Sequence, residues 1–375
     1  MTYRPQPGEL APGWSIHPGL FLKQILTQRN LRQSEVAERA GISAKHLNQL
    51  FNGSIGVTGD IAVRLERVLG IPARFWTRAE AEYQAVESTR KSKEALGQYI
   101  TWVNRFDQPT LLRNEIISTA DDDATKVDKT LRFFQVASPE AFDKRWLRRR
   151  VSFRRSQAFT VAEHNTALWL RLVELSAAHT DAAPLNMRNV RKAAKALPAM
   201  TNLSVTDGFL AARTTLATAG VVLTFVREVP GTRMNAATWW LNGETPVIGM
   251  TERHRKPDIF WFNLAHELGH VVKHQRRITF LDLDCARADD DPAEEEADAF
   301  ALETLFPGEA NRLIAKSRSR QDLVVLAAHL GIGVAVVAGR YAKLTDDWKV
   351  ASPLRGKITD TDIAKLEKLV TGSAY

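Results

Sequence analysis

The N-terminal ninety residues are a succession of short amphipathic segments. Over 17–30, Leu22, Ile25 and Leu26 recur at helical spacing, and Leu31 closes the run. The next stretch, 31–53 (LRQSEVAERAGISAKHLNQLFNG), is more specific. Counting from Gln33, small Ala37 stands fifth, Gly41 ninth, Ile42 tenth, Leu47 fifteenth and Leu50 eighteenth. Two short helices that cross steeply need a small residue at the crossing, a glycine in the turn and apolar positions facing back from the second helix. Segments 58–69 (Ile61, Leu65, Val68 and Leu69 inward) and 72–83, with Pro72 at its start, bring the predicted helices here to five. From 88 to 183 the pattern is helical but less informative, clearest over 127–136 and 166–178. Two more helices precede 225, the first over 187–197. The period then changes. GVVLTFV at 220–226 is an apolar β-branched run, and with 236–241 and 246–251, the last two separated by Asn242-Gly243, it predicts a small antiparallel sheet.

That sheet needs something to cover it. The stretch 258–274 (DIFWFNLAHELGHVVKH) is apolar almost all the way round, which predicts a buried helix with Asp258 as its N-cap. A helix over 289–307 and apolar helices over 324–341 and 358–370 follow. LGIGVAVVAGR faintly echoes a helix-turn-helix but has no polar reading face, so it is read as core. The fold class expected is multidomain and mainly α. A helical domain over 1–90 leads into a helical middle region over 91–183. A C-terminal α+β domain over 184–375 carries the small antiparallel sheet.

Composition changes this picture little. Hydrophobic residues at 44% and charged residues at 25% of a 375-residue chain are ordinary for a globular protein with a real core. A net charge of +8 permits a nucleic-acid partner. The single cysteine, Cys285, excludes an internal disulfide framework and suits a reducing compartment. Residues 1–13 lack the apolar run of a signal peptide and no segment is apolar enough to span a membrane, so a cytoplasmic protein without a membrane partner is expected. Asp121-Asp122-Asp123 marks a surface turn. In 143–156 (DKRWLRRRVSFRRS), Lys144, Arg145, Arg148, Arg149, Arg150, Arg154 and Arg155 alternate with Trp146 and Phe153. That run reads either as a phosphate-contacting surface or, more in keeping with charge runs generally, as a solvated helix face.

The chemistry lies in the buried helix. His266 and His270 stand one turn apart on one face, with Glu267 beside them. Burying two imidazoles and a carboxylate costs on the order of several kcal/mol unless each is partnered. A zinc ion is the partner this spacing suits: two imidazole nitrogens at i and i+4 reach one metal, and Glu267 can act as general base on a water. Two histidines leave zinc short of ligands. The helix over 289–307 offers three adjacent glutamates, and helical phase separates them. Ala297, Ala301 and Leu305 form its buried stripe, flanked by Phe300 and Leu302, and Glu294 lies within it, while Glu295 and Glu296 project roughly 100° and 160° away. Phase therefore selects Glu294 as third ligand and places Asp298 one turn on, where it can orient His266 or His270. An acidic helix N-terminus favoured by the macrodipole explains Glu295 and Glu296 but not an inward Glu294. His274 would stand about 12 Å from His266 on a continuing helix, a rim position rather than a ligand. Arg253, His254, His329 and Tyr341 are the candidate oxyanion donors.

In the N-terminal domain, Ser43 is the expected cap of a second, major-groove helix. Ala44, Lys45, Asn48 and Gln49 would face base edges, and Gln33 would donate to a phosphate. A plain helical hairpin with solvated polar residues is the alternative. Residues 14–90 resemble the lambda-repressor-like (Cro/C1-type) domain. They look more closely like the HigA type of toxin–antitoxin antidote, on the His17-Pro18-Gly19 entry, the LxQxxxA…GxS core (Leu31 to Ser43) and the Phe75-Trp76 pair. That resemblance implies an autoregulating repressor bound as a homodimer to palindromic double-stranded operator DNA.

Residues 220–307 resemble the ImmA/IrrE metallo-endopeptidases. The match rests on a strand-rich lead-in, Trp261-Phe262 before His266–His270, and then Glu294, Ala297, Asp298, Phe300, Ala301 and Pro307. It implies a zincin-like fold, zinc held by His266, His270 and Glu294, Glu267 as general base, and a protein substrate, a repressor or toxin–antitoxin partner. Zinc peptidases hold a peptide by adding it to a sheet edge, and 246–251 is the expected edge. The expectation is a DNA-binding transcriptional regulator fused to a zinc-dependent endopeptidase that cleaves a regulatory protein. Two alternatives remain. One is an autorepressor whose peptidase-like domain is a catalytically silent sensor or docking scaffold. The other is a peptidase whose N-terminal domain binds protein instead of DNA.

Overall fold

A computed structural model of the protein describes residues 16–147, 162–178, 180–241, 243–274, 280–283 and 292–371. The chain divides at Ile100/Thr101 into two compact units, with Ala120–Lys129 belonging to the first. The N-terminal arm, Asn242, Cys285 and the basic run from Arg148 to Arg155 lie outside the described residues.

In the first unit the expected five helices form: α1 (Pro18–Gln28), α2 (Gln33–Ala40), α3 (Ala44–Phe51), α4 (Gly59–Leu69) and α5 (Ala73–Leu96). Their core is Leu22, Leu26, Val36, Ala37, Leu47, Leu50, Leu65 and Trp76, the inward positions of the apolar pattern. The α2–α3 turn passes through Gly41 at φ 64°, a left-handed conformation that glycine adopts without a Cβ penalty. The His17-Pro18-Gly19 entry is structural. His17 Nδ1 accepts from the Gly19 amide at 2.9 Å. A Cβ on Gly19 would lie 1.6 Å from the Leu50 carbonyl oxygen, so only glycine lets α1 seat on α3. Helix α5 runs well past the expected end at 83. Its second half is rich in good helix formers, and Arg90 bridges Glu87 and Glu94 along it.

The second unit is helical up to its sheet. After α6 (Gln108–Arg113) and α7 (Asp123–Phe134), whose residues up to Lys129 count with the first unit, a five-residue π-helical turn, Asp143–Leu147, buries Trp146, whose indole donates to the Phe134 carbonyl at 3.3 Å. Then come α8 (Glu163–Ala177), α9 (Met187–Met200) and α10 (Val205–Ala219).

The sheet holds β1 (Val222–Phe225), β2 (Met234–Leu241), β3 (Thr245–Met250) and β4 (Phe280–Leu283), in the order β1-β3-β2-β4. It is mixed, which corrects the expected antiparallel sheet: β1 runs parallel to β3, while β2 is antiparallel to both β3 and β4. All four residues of β1 are buried. A strand covered on both faces reads as a continuous apolar run, and that suits parallel pairing beneath helices better than a hairpin partner. The position of β3 also overturns 246–251 as a substrate edge, because it is paired on both sides; among the described strands the edges are β1 and β4.

Helix α11 (Pro257–Lys273) lies against the sheet, tied to it by the Thr238 hydroxyl, which donates to the Glu267 carbonyl at 3.3 Å. Its cap is not Asp258. Pro257 takes the first helical position, where its missing N–H costs nothing, and Lys256 is the N-cap. The Asp258 carboxylate instead pairs with Arg355 at 2.7 Å. Helix α12 (Pro292–Leu305) packs across α11, and α13 (Ala310–Lys316), α14 (Arg320–Leu330), α15 (Val334–Thr345) and α16 (Asp360–Thr371) enclose the core. The echo at 331–340 is core as expected: Ile332, Val336, Val337 and Ala338 are buried. Among the described residues no helix is long and apolar enough to cross a membrane.

Candidate metal centre

Apolar residues around the whole of α11 drive it into the interior, and with it go His266, Glu267 and His270, at 1%, 0% and 2% exposure. Helix α12 supplies the third group. Its stripe of Ala297, Ala301 and Leu305 is fully buried, Glu295 and Glu296 are exposed, and Glu294 turns inward as its phase requires. Gly269 makes this possible. A Cβ there would lie 3.0 Å from the Ala297 Cα and 3.1 Å from its carbonyl oxygen, so the glycine sets how closely the two helices approach.

The donor atoms converge. His266 Nε2 and His270 Nε2 are 3.0 Å apart, Glu294 Oε2 is 3.2 Å from His266 Nε2, and Glu294 Oε1 is 3.5 Å from His270 Nε2. A tetrahedral ion with ligand bonds of about 2.0–2.1 Å has donor–donor edges of roughly 3.3 Å. The donor chemistry fits as well. His266 Nδ1 faces the Asp298 carboxylate at 2.8 Å, so a neutral His266 carries its proton there and presents a lone pair at Nε2. That lone pair meets a carboxylate across 3.2 Å, an arrangement of two acceptors that a cation resolves. Burial, then the neighbouring His266 and His274, push the His270 imidazole down to about 2, which leaves it neutral and able to ligate.

Of the other sequence candidates, Asp298 stands where helical phase placed it. His274 ends α11 and is not among the converging donors: its Nε2 lies 3.0 Å from the Ala293 carbonyl, tying the end of α11 to the start of α12. The oxyanion candidates are engaged elsewhere or exposed. The Tyr341 hydroxyl donates to Asp347 at 3.2 Å, Arg253 pairs with Glu228, and His254 and His329 are on the surface. Sequence reasoning missed Thr238 and Gly269. A threonine inside an apolar strand and a glycine inside a buried helix were the available signals.

In the first unit, Ser43 Oγ accepts from the His46 amide at 3.0 Å, the expected cap. Ala44, Lys45 and Asn48 are exposed along α3, and Gln49 is half-buried. Gln33 donates to the Ala44 carbonyl at 3.3 Å, which ties the start of α2 to the start of α3 and leaves one amide hydrogen for another acceptor.

Comparison with known proteins matches both regions. Residues 22–76 fit the helix-turn-helix family model, and residues 224–341 fit the IrrE N-terminal-like domain of the M78 peptidases. No curated protein matches the chain. Similar solved structures include an antidote-type protein of a plasmid maintenance system from Nostoc punctiforme, at 30% identity over 22% of this chain and 92% of that one, TM-score 0.22. An addiction module antidote of the HigA family from Coxiella burnetii is 24% identical over 22% and 91%, TM-score 0.21. A Pseudomonas aeruginosa protein crystallised with its operator DNA is 26% identical over 20% and 82%, TM-score 0.19.

Proposed function

We infer that this chain, whose residues 22–76 match the helix-turn-helix family model and whose residues 224–341 match the IrrE N-terminal-like domain model, is a DNA-binding regulator joined to a zinc-dependent endopeptidase. The observation that carries the enzymatic half is the convergence of His266, His270 and Glu294 beside a buried Glu267. These three would hold the zinc, and three protein ligands leave a position open, as catalytic sites do and structural sites do not. Zinc, when bound, polarises a scissile carbonyl and makes water more acidic. Glu267 then takes the proton of the attacking water and returns it to the leaving amine. Asp298 fixes the tautomer of His266 so that Nε2 faces the metal, and Thr238 holds the backbone of Glu267 against the sheet.

On the DNA side, Lys45 and Asn48 on the exposed face of α3 would read base edges, with Gln49 beside them and Ser43 and Gln33 fixing the helix start. A homodimer on a palindromic operator and a repressor or toxin–antitoxin partner as substrate complete the proposal. The test is Glu267→Gln. New protein N-termini that depend on the wild-type chain in cells should vanish in this variant, while its zinc content and operator binding stay at wild-type levels. Undiminished cleavage would overturn the mechanism. Wild-type protein that produces no new N-termini while repressing its promoter would favour the catalytically silent reading.

A further inference from the structure

Helix α9 carries Arg188, Arg191, Lys192 and Lys195 at i, i+3, i+4 and i+7, one continuous stripe, and all four side chains are exposed. The opposite face, Val190, Ala193, Ala194 and Leu197, is buried in the core that also holds α11. The stripe is therefore fixed in place by packing on its far side.

Its electrostatics are unfavourable for the helix itself. The pairs 188/191, 188/192, 191/195 and 192/195 are like-charge pairs at i,i+3 or i,i+4 spacing, which destabilises a helix. The first turn holds no acidic residue, so the cations begin at the end where the macrodipole opposes them. Some arginines elsewhere are neutralised by an acid one turn away, Arg39 by Glu35, Arg64 by Asp60 and Arg90 by Glu87 and Glu94, and exposed Arg67, Arg74 and Arg78 are not; what sets α9 apart is four cations gathered on one face. Among the described residues, none forms an ion pair or a side-chain hydrogen bond with any of the four. Four cations gathered on one packed face, with no neutralising acid among the described residues, form the kind of basic stripe that meets a polyanion.

We propose that the α9 stripe is a second DNA-contacting surface, on the peptidase unit, that binds the phosphate backbone without reading sequence. The side chains span about 10 Å along the helix, enough to meet successive phosphates of one strand. Duplex DNA is favoured over an anionic membrane because no residue of α9 is an exposed large hydrophobic, and membrane-surface helices need an apolar face to insert. The choice of DNA also draws on the proposed function, since a regulator with a helix-turn-helix domain already works on that polymer. A phosphate contact from the peptidase unit would keep the protease beside DNA-bound proteins.

The test measures binding of the full-length chain to a fluorescent 30-base-pair duplex of random sequence across a potassium chloride series. Three forms are compared: wild type, the quadruple variant Arg188→Gln, Arg191→Gln, Lys192→Gln and Lys195→Gln, and a variant of α3 carrying Lys45→Ala and Asn48→Ala. Each neutralised phosphate contributes about 0.9 to the slope of log affinity against log salt, so the quadruple variant should lose up to about 3.6 units of slope and tenfold or more in affinity. Unchanged slope and affinity in that variant, with its melting temperature retained, overturn the proposal. The α3 variant keeps the two ideas apart. If it binds a selected operator as well as wild type does, the helix-turn-helix reading fails while the stripe stands or falls on its own slope. Vesicles of phosphatidylserine and phosphatidylcholine give the last arm: stripe-dependent vesicle binding with DNA binding unaltered contradicts the choice of DNA.

Discussion

At the scale of single residues, Asp298 separates a metal site from a chance meeting of polar groups. Its carboxylate touches His266 Nδ1 at 2.8 Å and is not one of the converging donors. If it works by fixing the imidazole, Asp298→Asn should weaken zinc affinity about 10- to 100-fold, measured by competition with a chelating dye, without altering the fold. Wild-type affinity in that variant would show that His266 needs no such partner. Glu294 was legible from sequence because its helix has a sharply defined buried stripe, against which one glutamate of three is in phase. Thr238 was not, because its role depends on which helix lies over the strand, and that is a long-range fact. Asp258 was misread for a related reason. An acid at a helix start suggests a cap, yet Pro257 fixes the start one residue earlier, and the carboxylate goes instead to Arg355, 97 residues away.

At the scale of elements, the α11–α12 pair is the mechanical basis of the site. Glu294 reaches the histidines only while the two helices remain close, and Gly269 sets that distance. Gly269→Ala puts a methyl group against the Ala297 backbone, overpacking of the kind that costs about 1–3 kcal/mol. The expected result is a lower melting temperature together with weaker zinc retention. A stable variant with full zinc affinity would mean the pair can open without moving Glu294. The helices were legible as elements wherever a period persisted, and the turn glycine Gly41 and the cap Ser43 fell where the spacing put them. The sheet was less legible. Three strands could be recognised, but β4 was not, and the parallel β1–β3 pairing depends on which faces the helices cover. An apolar run four residues long cannot record that.

At the scale of the whole molecule, the sequence foretold a chain that joins a helix-turn-helix to a zincin-like domain, and both matched regions have the local geometry their motifs require. The stripe on α9 had no motif to announce it; its significance comes from its exposure and from the lack of neutralising acids among the described residues, both properties of the folded surface. Whether His266, His270 and Glu294 bind zinc is read from metal content, by mass spectrometry, after apo-protein is reloaded with zinc and desalted. Wild type and Glu295→Ala should each retain about one zinc per chain, and Glu294→Ala should lose most of it. Equal retention by Glu294→Ala and Glu295→Ala, or no zinc in the wild type, would contradict zinc binding by these three residues.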